Sequence, residues 1–264
     1  MPDQHAQAVR TLLDAYRTGV AVDPLTATHP GLTVADAYAI QLAQVRQWTE
    51  QGAVIKGHKV GLTAAVMQRQ FGVDQPDYGH LTGDMFHLEG QPIDVACFLQ
   101  PRIEPEIGFV LNRELRGPGV TAADAAAAIE YVVPALEIID SRIRDWKITL
   151  VDTIADNASS GGVVLGSRFT RPSRVDLRLV GCVLHGNGQV LGTGAGGAVL
   201  GSPLNALVWL ANTLGPLGIA LQAGHVVLPG SLTAAMPVAA GDVLTAEFAG
   251  LGSVTAVFGK GGAA

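Results

Sequence analysis

The 264-residue chain is 48% hydrophobic but only 15% charged, with a formal net charge of −6, whereas an average globular domain carries roughly 25% charged residues. The acidic balance and the lack of any Lys/Arg-rich run argue against nucleic acid as a partner. No uncharged apolar stretch reaches the ~18 residues a membrane span needs, so no membrane partner is expected either.

A surface this poor in charge is expected to be partly covered, which predicts a homo-oligomer. The first residues, Met1-Pro2-Asp3-Gln4-His5, lack the basic and then apolar character of a signal peptide, so a cytoplasmic location is expected. Cys97 and Cys182 sit in apolar contexts without metal-type spacing and read as buried free thiols.

In chain order, Val9, Leu12, Leu13 and Tyr16 follow helical spacing and predict a helix from His5 to Thr18, ended by Gly19. Thr33-Val34-Ala35-Asp36 is a capping-box-like start, with Asp in place of the usual Glu, for a helix reaching about Glu50. Residues 1–52 therefore read as an N-terminal helical cap region, and residues 53–264 as a β-rich catalytic domain joined to it in one structural unit. Val54 to Leu62 predicts a short strand, and Thr63 a cap for a helix carrying Val66 and Met67 and closed by Gly72. Val73 through Leu81, with its Pro, Asp and Gly, reads as a loop. Loops on rigid scaffolds often carry chemistry, which makes Lys59 and Asp77 candidates beside the alternative of plain solvated charges.

Arg102 through Leu111 is the most informative stretch. Residues two apart on an extended segment share a side, so Glu104 and Glu106 project into one space. Like charges that close repel unless a cation or a shared proton relieves them. Glu137 interrupts a second apolar run, Val132 to Ile139. Three carboxylates in apolar surroundings suit a hard divalent cation, Mg²⁺ or Mn²⁺ rather than zinc. The alternative is the solvated face of an edge strand pinned by Pro105. A metal there would leave coordination positions for a bidentate 2-oxo acid and would act as a Lewis acid on it.

Thr121 caps an Ala-rich helix with Asp124 in its first turn, and the Glu137 strand follows. Asp152 to Gly162 is rich in small and hydrogen-bonding residues; it either brings backbone donors to a ligand or is a packed loop. Gly186-Asn187-Gly188 signals a hairpin, and Ser202-Pro203 opens a helix whose stripe is Leu207, Leu210, Ala211 and Leu214. Three strands close the chain, at His225–Pro229, Val243–Phe248 and Val254–Phe258. The glycine-rich 192–197 run lies between a hairpin and a helix, not in the βα unit of a dinucleotide fingerprint. The fold class is α+β, a mixed and mostly antiparallel β core with peripheral helices.

Several stretches together resemble the 2-oxopent-4-enoate (2-hydroxypenta-2,4-dienoate) hydratases of the fumarylacetoacetate hydrolase superfamily, which also holds the 4-oxalocrotonate decarboxylases. They are Gly57-His58-Lys59-Val60-Gly61-Leu62-Thr63, Gly72 to Leu81, Pro101 to Leu111, Pro134 to Lys147, Asp152 to Ser159, Gly201 to Leu214 and Gly250-Leu251-Gly252-Ser253. The resemblance implies a β core of the fumarylacetoacetate hydrolase type and a Mg²⁺ or Mn²⁺ on Glu104, Glu106 and Glu137. It implies catalytic roles for Lys59 and Asp77, and places Ser159 or Ser160 and Ser231 near the substrate's carboxylate end. The implied substrate is a small 2-oxo or 2-hydroxy-dienoic acid, hydrated to 4-hydroxy-2-oxopentanoate in meta-cleavage degradation of aromatic compounds. A complex with a neighbouring pathway enzyme also falls within it.

Within the superfamily, hydrolases typically have Asp as third ligand where this chain has Glu137. Decarboxylases tend to carry an apolar residue where Asp77 stands, and a hydratase needs a proton carrier there. Pro229 departs from the Thr or Ser that relatives often have. The remaining alternatives are a decarboxylase or hydratase of a longer 2-oxo-enedioate, and a non-catalytic subunit supporting a related enzyme.

Overall fold

A computed structural model provides the structure and describes residues 2–259. In chain order the elements are α1 (Pro2–Thr18), α2 (Leu25–Thr28), α3 (Val34–Glu50), β1 (Ile55–Gly61), α4 (Ala65–Phe71), β2 (Asp77–Thr82), β3 (Phe86–His87) and β4 (Pro92–Asp94). There follow β5 (Arg102–Leu111), α5 (Ala122–Ala128), β6 (Ile129–Ile139), α6 (Leu150–Ala155), β7 (Ser160–Leu165), β8 (Gly181–Gly186) and β9 (Gln189–Ala195). The chain closes with α7 (Pro203–Leu214), β10 (Val226–Leu228), β11 (Met236–Pro237), β12 (Val243–Phe248) and β13 (Gly252–Gly259).

The long helices form for the reasons their sequences suggest. Thr33 and Asp36 make the reciprocal capping box at the start of α3, which ends at Glu50 as expected. The buried stripes of α1 (Ala8, Val9, Leu12) and α3 (Ala37, Ile40) meet Leu25, Ile143, Ile154 and Ala155 in one apolar cluster. The helical N-terminus is thus packed on residues from the middle of the chain.

The β core is mixed and mostly antiparallel. One sheet runs β2-β1-β10-β5-β6-β7-β3, with β11 also pairing β5, and a second runs β4-β13-β12-β8-β9. Only the β1–β10, β3–β7 and β4–β13 pairs are parallel among the described residues. Alternation on β5 puts Ile103, Ile107 and Phe109 into the largest core, with Phe248, Val254 and Phe258 of the second sheet. Arg102, Glu104 and Glu106 therefore project from the other face. Because β5 lies between β10 and β6, the reading of Glu104 and Glu106 as an edge-strand face is overturned.

Four local expectations need correction. The loop expected over 73–81 is short, because Asp77–Thr82 is a fully buried strand paired antiparallel with β1. Its partner strand supplies the order that local turn composition could not reveal. The small-residue stretch from Asp152 holds the end of a capped helix, a tight turn and the start of β7. Thr63 does not cap α4; the N-cap is Ala64, without a side-chain bond. Cys97 is exposed, although Cys182 is buried and both are free. No helix among the described residues is long and apolar enough to cross a membrane.

Candidate active site

The antiparallel register of β5 and β6 sets Glu104 directly opposite Glu137, and Glu106 follows on the same face of β5. Ligand oxygens of the three glutamates lie within 4.8 Å of one another. Glu106 and Glu137 are fully buried, whereas Glu104 is part-exposed toward a cavity of about 530 Å³. One Glu106 oxygen accepts the Gly230 N–H at 2.7 Å. Its other oxygen and both Glu137 oxygens are buried without a hydrogen-bond donor. Buried carboxylate oxygens without hydrogen-bond donors, converging within 4.8 Å, fit a divalent cation, since leaving a buried group unpartnered costs on the order of 1–3 kcal/mol even when it is neutral.

Lys59 approaches from β1. Its register partner Leu228 is the last residue of β10, so beyond that point the ammonium can reach toward β6. Nζ stands 3.2 Å from Glu137 Oε1, an ion pair by distance although not aligned as a hydrogen bond. It donates instead to the Ala158 carbonyl at 2.9 Å. Burial opposes the charge on Lys59, but Glu137, Asp77, Glu104 and Glu106 together outweigh it and hold the ammonium above its ordinary range.

Asp77 opens β2 opposite Gly61. A Cβ on Gly61 would collide with Asp77 Oδ1 and stand 3.5 Å from Lys59 Nζ, so glycine there lets the carboxyl and the ammonium share one space. Burial, the largest cause, and then the charge of Glu137 hold Asp77 above the usual carboxylate range, against the opposing pull of Lys59. Its Oδ1 is buried and unpartnered. Glu104 is raised to about 7, by burial first and by Glu137 next. Glu106 is raised well above the usual range, by burial first and then by Glu137 and Glu104.

The serines separate. Ser159 and Ser231 line the cavity, with Ser159 Oγ 3.2 Å from Thr153 Oγ1 and Ser231 Oγ donating to Thr233 O at 2.9 Å. Ser160 is directed elsewhere, being fully buried with its hydroxyl donating to Asn157 O at 2.8 Å. His58 and His80 sit side by side, ring centroids 4.9 Å apart, on the face of the sheet away from Lys59.

Two features of the site escaped the reading of the sequence. Arg102 lines the cavity with its guanidinium 4.5 Å from the centroid of the Trp146 ring, and no ion pair engages it among the described residues. Its place two residues before Glu104 was the available signal. The Ala158 carbonyl, a backbone atom in a left-handed turn, had none.

Comparison with known proteins places the chain in a family. Residues 55–258 match the model of the fumarylacetoacetate (FAA) hydrolase C-terminal family. The chain is 46% identical over 257 residues to a 2-keto-4-pentenoate hydratase of Paraburkholderia xenovorans (strain LB400), covering 97% of this chain and 96% of the relative. It is 45% identical to a 2-hydroxyhexa-2,4-dienoate hydratase of Comamonas testosteroni over 94% of each. Among solved structures, it superposes on 4-oxalocrotonate decarboxylase from Pseudomonas putida G7, complexed with magnesium and adipate, with a TM-score of 0.94 and 39% identity over 98% of both chains. With a sheet carrying three converging glutamates and relatives of this likeness along its whole length, the chain belongs to the fumarylacetoacetate hydrolase family.

Proposed function

We propose that the chain is a metal-dependent hydro-lyase that adds water to 2-hydroxypenta-2,4-dienoate, giving 4-hydroxy-2-oxopentanoate in meta-cleavage degradation of aromatic compounds. The observation that carries the reading is the convergence of Glu106 and Glu137 on Glu104, which lines one cavity together with the Lys59 ammonium and the Asp77 carboxyl. Hydratase relatives of 46% and 45% identity support it.

A divalent cation on Glu104, Glu106 and Glu137, Mg²⁺ or Mn²⁺, supplies Lewis acidity toward negative charge on a 2-oxo acid. Lys59 adds a second positive charge at the same place, held in position by Ala158 O. Arg102, without an ion pair among the described residues and stacked on Trp146, takes a substrate carboxylate. Ketonisation removes the 2-hydroxyl proton and places one on C5; conjugate addition then puts hydroxide on C4 and a proton on C3, consuming one water. Asp77, whose pKa burial raises, carries protons in these transfers through its unpartnered Oδ1.

A decarboxylase is the second reading, favoured by the likeness to 4-oxalocrotonate decarboxylase. That reaction needs no carboxyl group to protonate carbon and deliver water, and Asp77 is the feature that weighs against it. Incubating the metal-loaded protein with 2-hydroxypenta-2,4-dienoate and, separately, with oxalocrotonate decides between them. Ultraviolet absorbance of the dienoate is expected to decay. Release of CO₂ from the diacid with no consumption of the dienoate would overturn the hydratase. Homo-oligomeric assembly belongs to the same reading, since Leu88 and Leu179 are 75% and 72% exposed; sedimentation as a 27.3 kDa monomer would remove it.

A further inference from the structure

Asn157, Ala158 and Ser159 are successive non-glycine residues in the left-handed region, with φ of 51°, 52° and 54°. Asparagine tolerates this conformation, but alanine and serine disfavour it, so the surroundings must impose it. The turn delivers two things to the cavity: the Ala158 carbonyl, which accepts from Lys59 Nζ, and the Ser159 side chain.

Its anchorage is dense on every side. The Asn157 side chain pairs with β2 as a strand would, accepting from His80 N at 2.8 Å and donating to His80 O at 2.9 Å. Beneath it, a Cβ on Gly79 would collide with Asn157 O. Buried Arg142 donates to the Asp156 carboxylate and, at 3.1 Å, to Ser160 O, bracketing the turn.

The N-terminal helices complete this anchorage. Gln41 of α3, fully buried, donates at 2.9 Å to the carbonyl of Tyr78, the residue after Asp77, and at 2.8 Å to the carbonyl of Ile154. Gln44 donates to Ala155 O at 2.7 Å. Ile154 and Ala155 end α6, where carbonyls lose their helical partners, and the turn begins two residues later. Tyr16 of α1 lies 4.2 Å from the Arg142 guanidinium, ring face toward it.

We infer that α1 and α3, outside the family-matched segment 55–258, form a positioning device for the active site. In it, Gln41 ties the strand carrying Asp77 to the helix leading into the left-handed turn that holds Lys59. Gln41 is a positioning residue, for it touches neither the cavity nor the glutamates. The role in turnover rests on the hydratase reading; the mechanical coupling does not.

The full-length, Mg²⁺-loaded protein tests it with Gln41→Met, which keeps length and helix propensity but removes the donor, and with Ala158→Gly, which relieves the left-handed turn. Gln41→Met is expected to melt cooperatively and to show faster amide exchange in peptides spanning 77–82 and 156–160, with exchange in β12 and β13 unchanged. Its kcat on the dienoate is expected to fall about tenfold with KM within about twofold, as misplacement of reacting groups dictates. Ala158→Gly is expected to keep or raise the melting temperature while lowering kcat. Exchange unchanged at 77–82 and 156–160, or raised equally everywhere, overturns the device. A wild type that leaves the dienoate untouched while the local exchange response persists refutes the hydratase reading and leaves the coupling intact.

Discussion

Glu104 and Glu106 are packed so close to Glu137 that, without a metal ion, their protonated forms are favoured. Glu104 is held at about 7 against an ordinary 4.5, and Glu106 is also held well above it, with burial the first cause of both. Carboxyls whose folded pKa exceeds the unfolded value bind more protons in the native state. Their contribution to stability is therefore lost as pH rises from the unfolded value through the folded one. Chelator-treated protein is expected to melt at progressively lower temperature from about pH 5 to about pH 8. Because a cation needs the ionised ligands, the gain in melting temperature on adding Mg²⁺ should grow over the same range. Scanning calorimetry checks both trends, and a Mg²⁺ gain that is the same at both ends of the range would contradict them. At this scale the sequence was generous: E-x-E declared a shared face by period alone. Glu137 joined the pair through its place in an apolar run and through the family resemblance, but its position directly opposite Glu104 comes from strand register, which a lone sequence does not print. Arg102 was passed over because a single cation at the start of a strand looks like any surface charge.

Thr-x-x-Asp recurs at three helix starts, Thr33/Asp36, Thr121/Asp124 and Thr149/Asp152, each a reciprocal capping box. Asp152 does more than cap α6. Buried, it also accepts from Thr26 N at 3.0 Å and Thr26 Oγ1 at 2.9 Å, fastening α2 to α6. Asp152→Asn keeps the shape but cannot accept all of these bonds, and is expected to destabilise the fold by about 1–3 kcal/mol in urea titration. A loss below about 0.5 kcal/mol would mean that the carboxylate is a bystander. Elements with a local cause were legible: α3 to its last residue, the Asn187-Gly188 hairpin with positive φ at both turn residues, and β12 in full. Elements with a tertiary cause were not. β2 is a strand because β1 pairs with it, and the 157–159 turn is left-handed because contacts distant in sequence hold it: Asn157 on the β2 backbone, Lys59 on the Ala158 carbonyl and Arg142 on Asp156 and Ser160 to either side.

Taken whole, the molecule places one continuous apolar core between two sheets and sets its polar chemistry on the opposite face of the central strands. Alternation along β5 is what separates Ile103, Ile107 and Phe109 from Arg102, Glu104 and Glu106. The mixed, mostly antiparallel architecture followed from the spacing of strands and turns. The sheet order did not, since β10 enters between β1 and β5 from more than a hundred residues away. The proposed hydration requires the three glutamates to hold a divalent cation. It is tested most directly by titrating Mg²⁺ and Mn²⁺ calorimetrically into metal-free wild type and Glu106→Gln, and following dienoate turnover on the same samples. Removing one of three anionic ligands is predicted to weaken ion affinity by at least ~10²-fold and to lower turnover in parallel, given that outer-shell changes alone cost ~10–100-fold. Full turnover by exhaustively chelated wild type, or a Glu106→Gln variant with affinity and rate both intact, would contradict it.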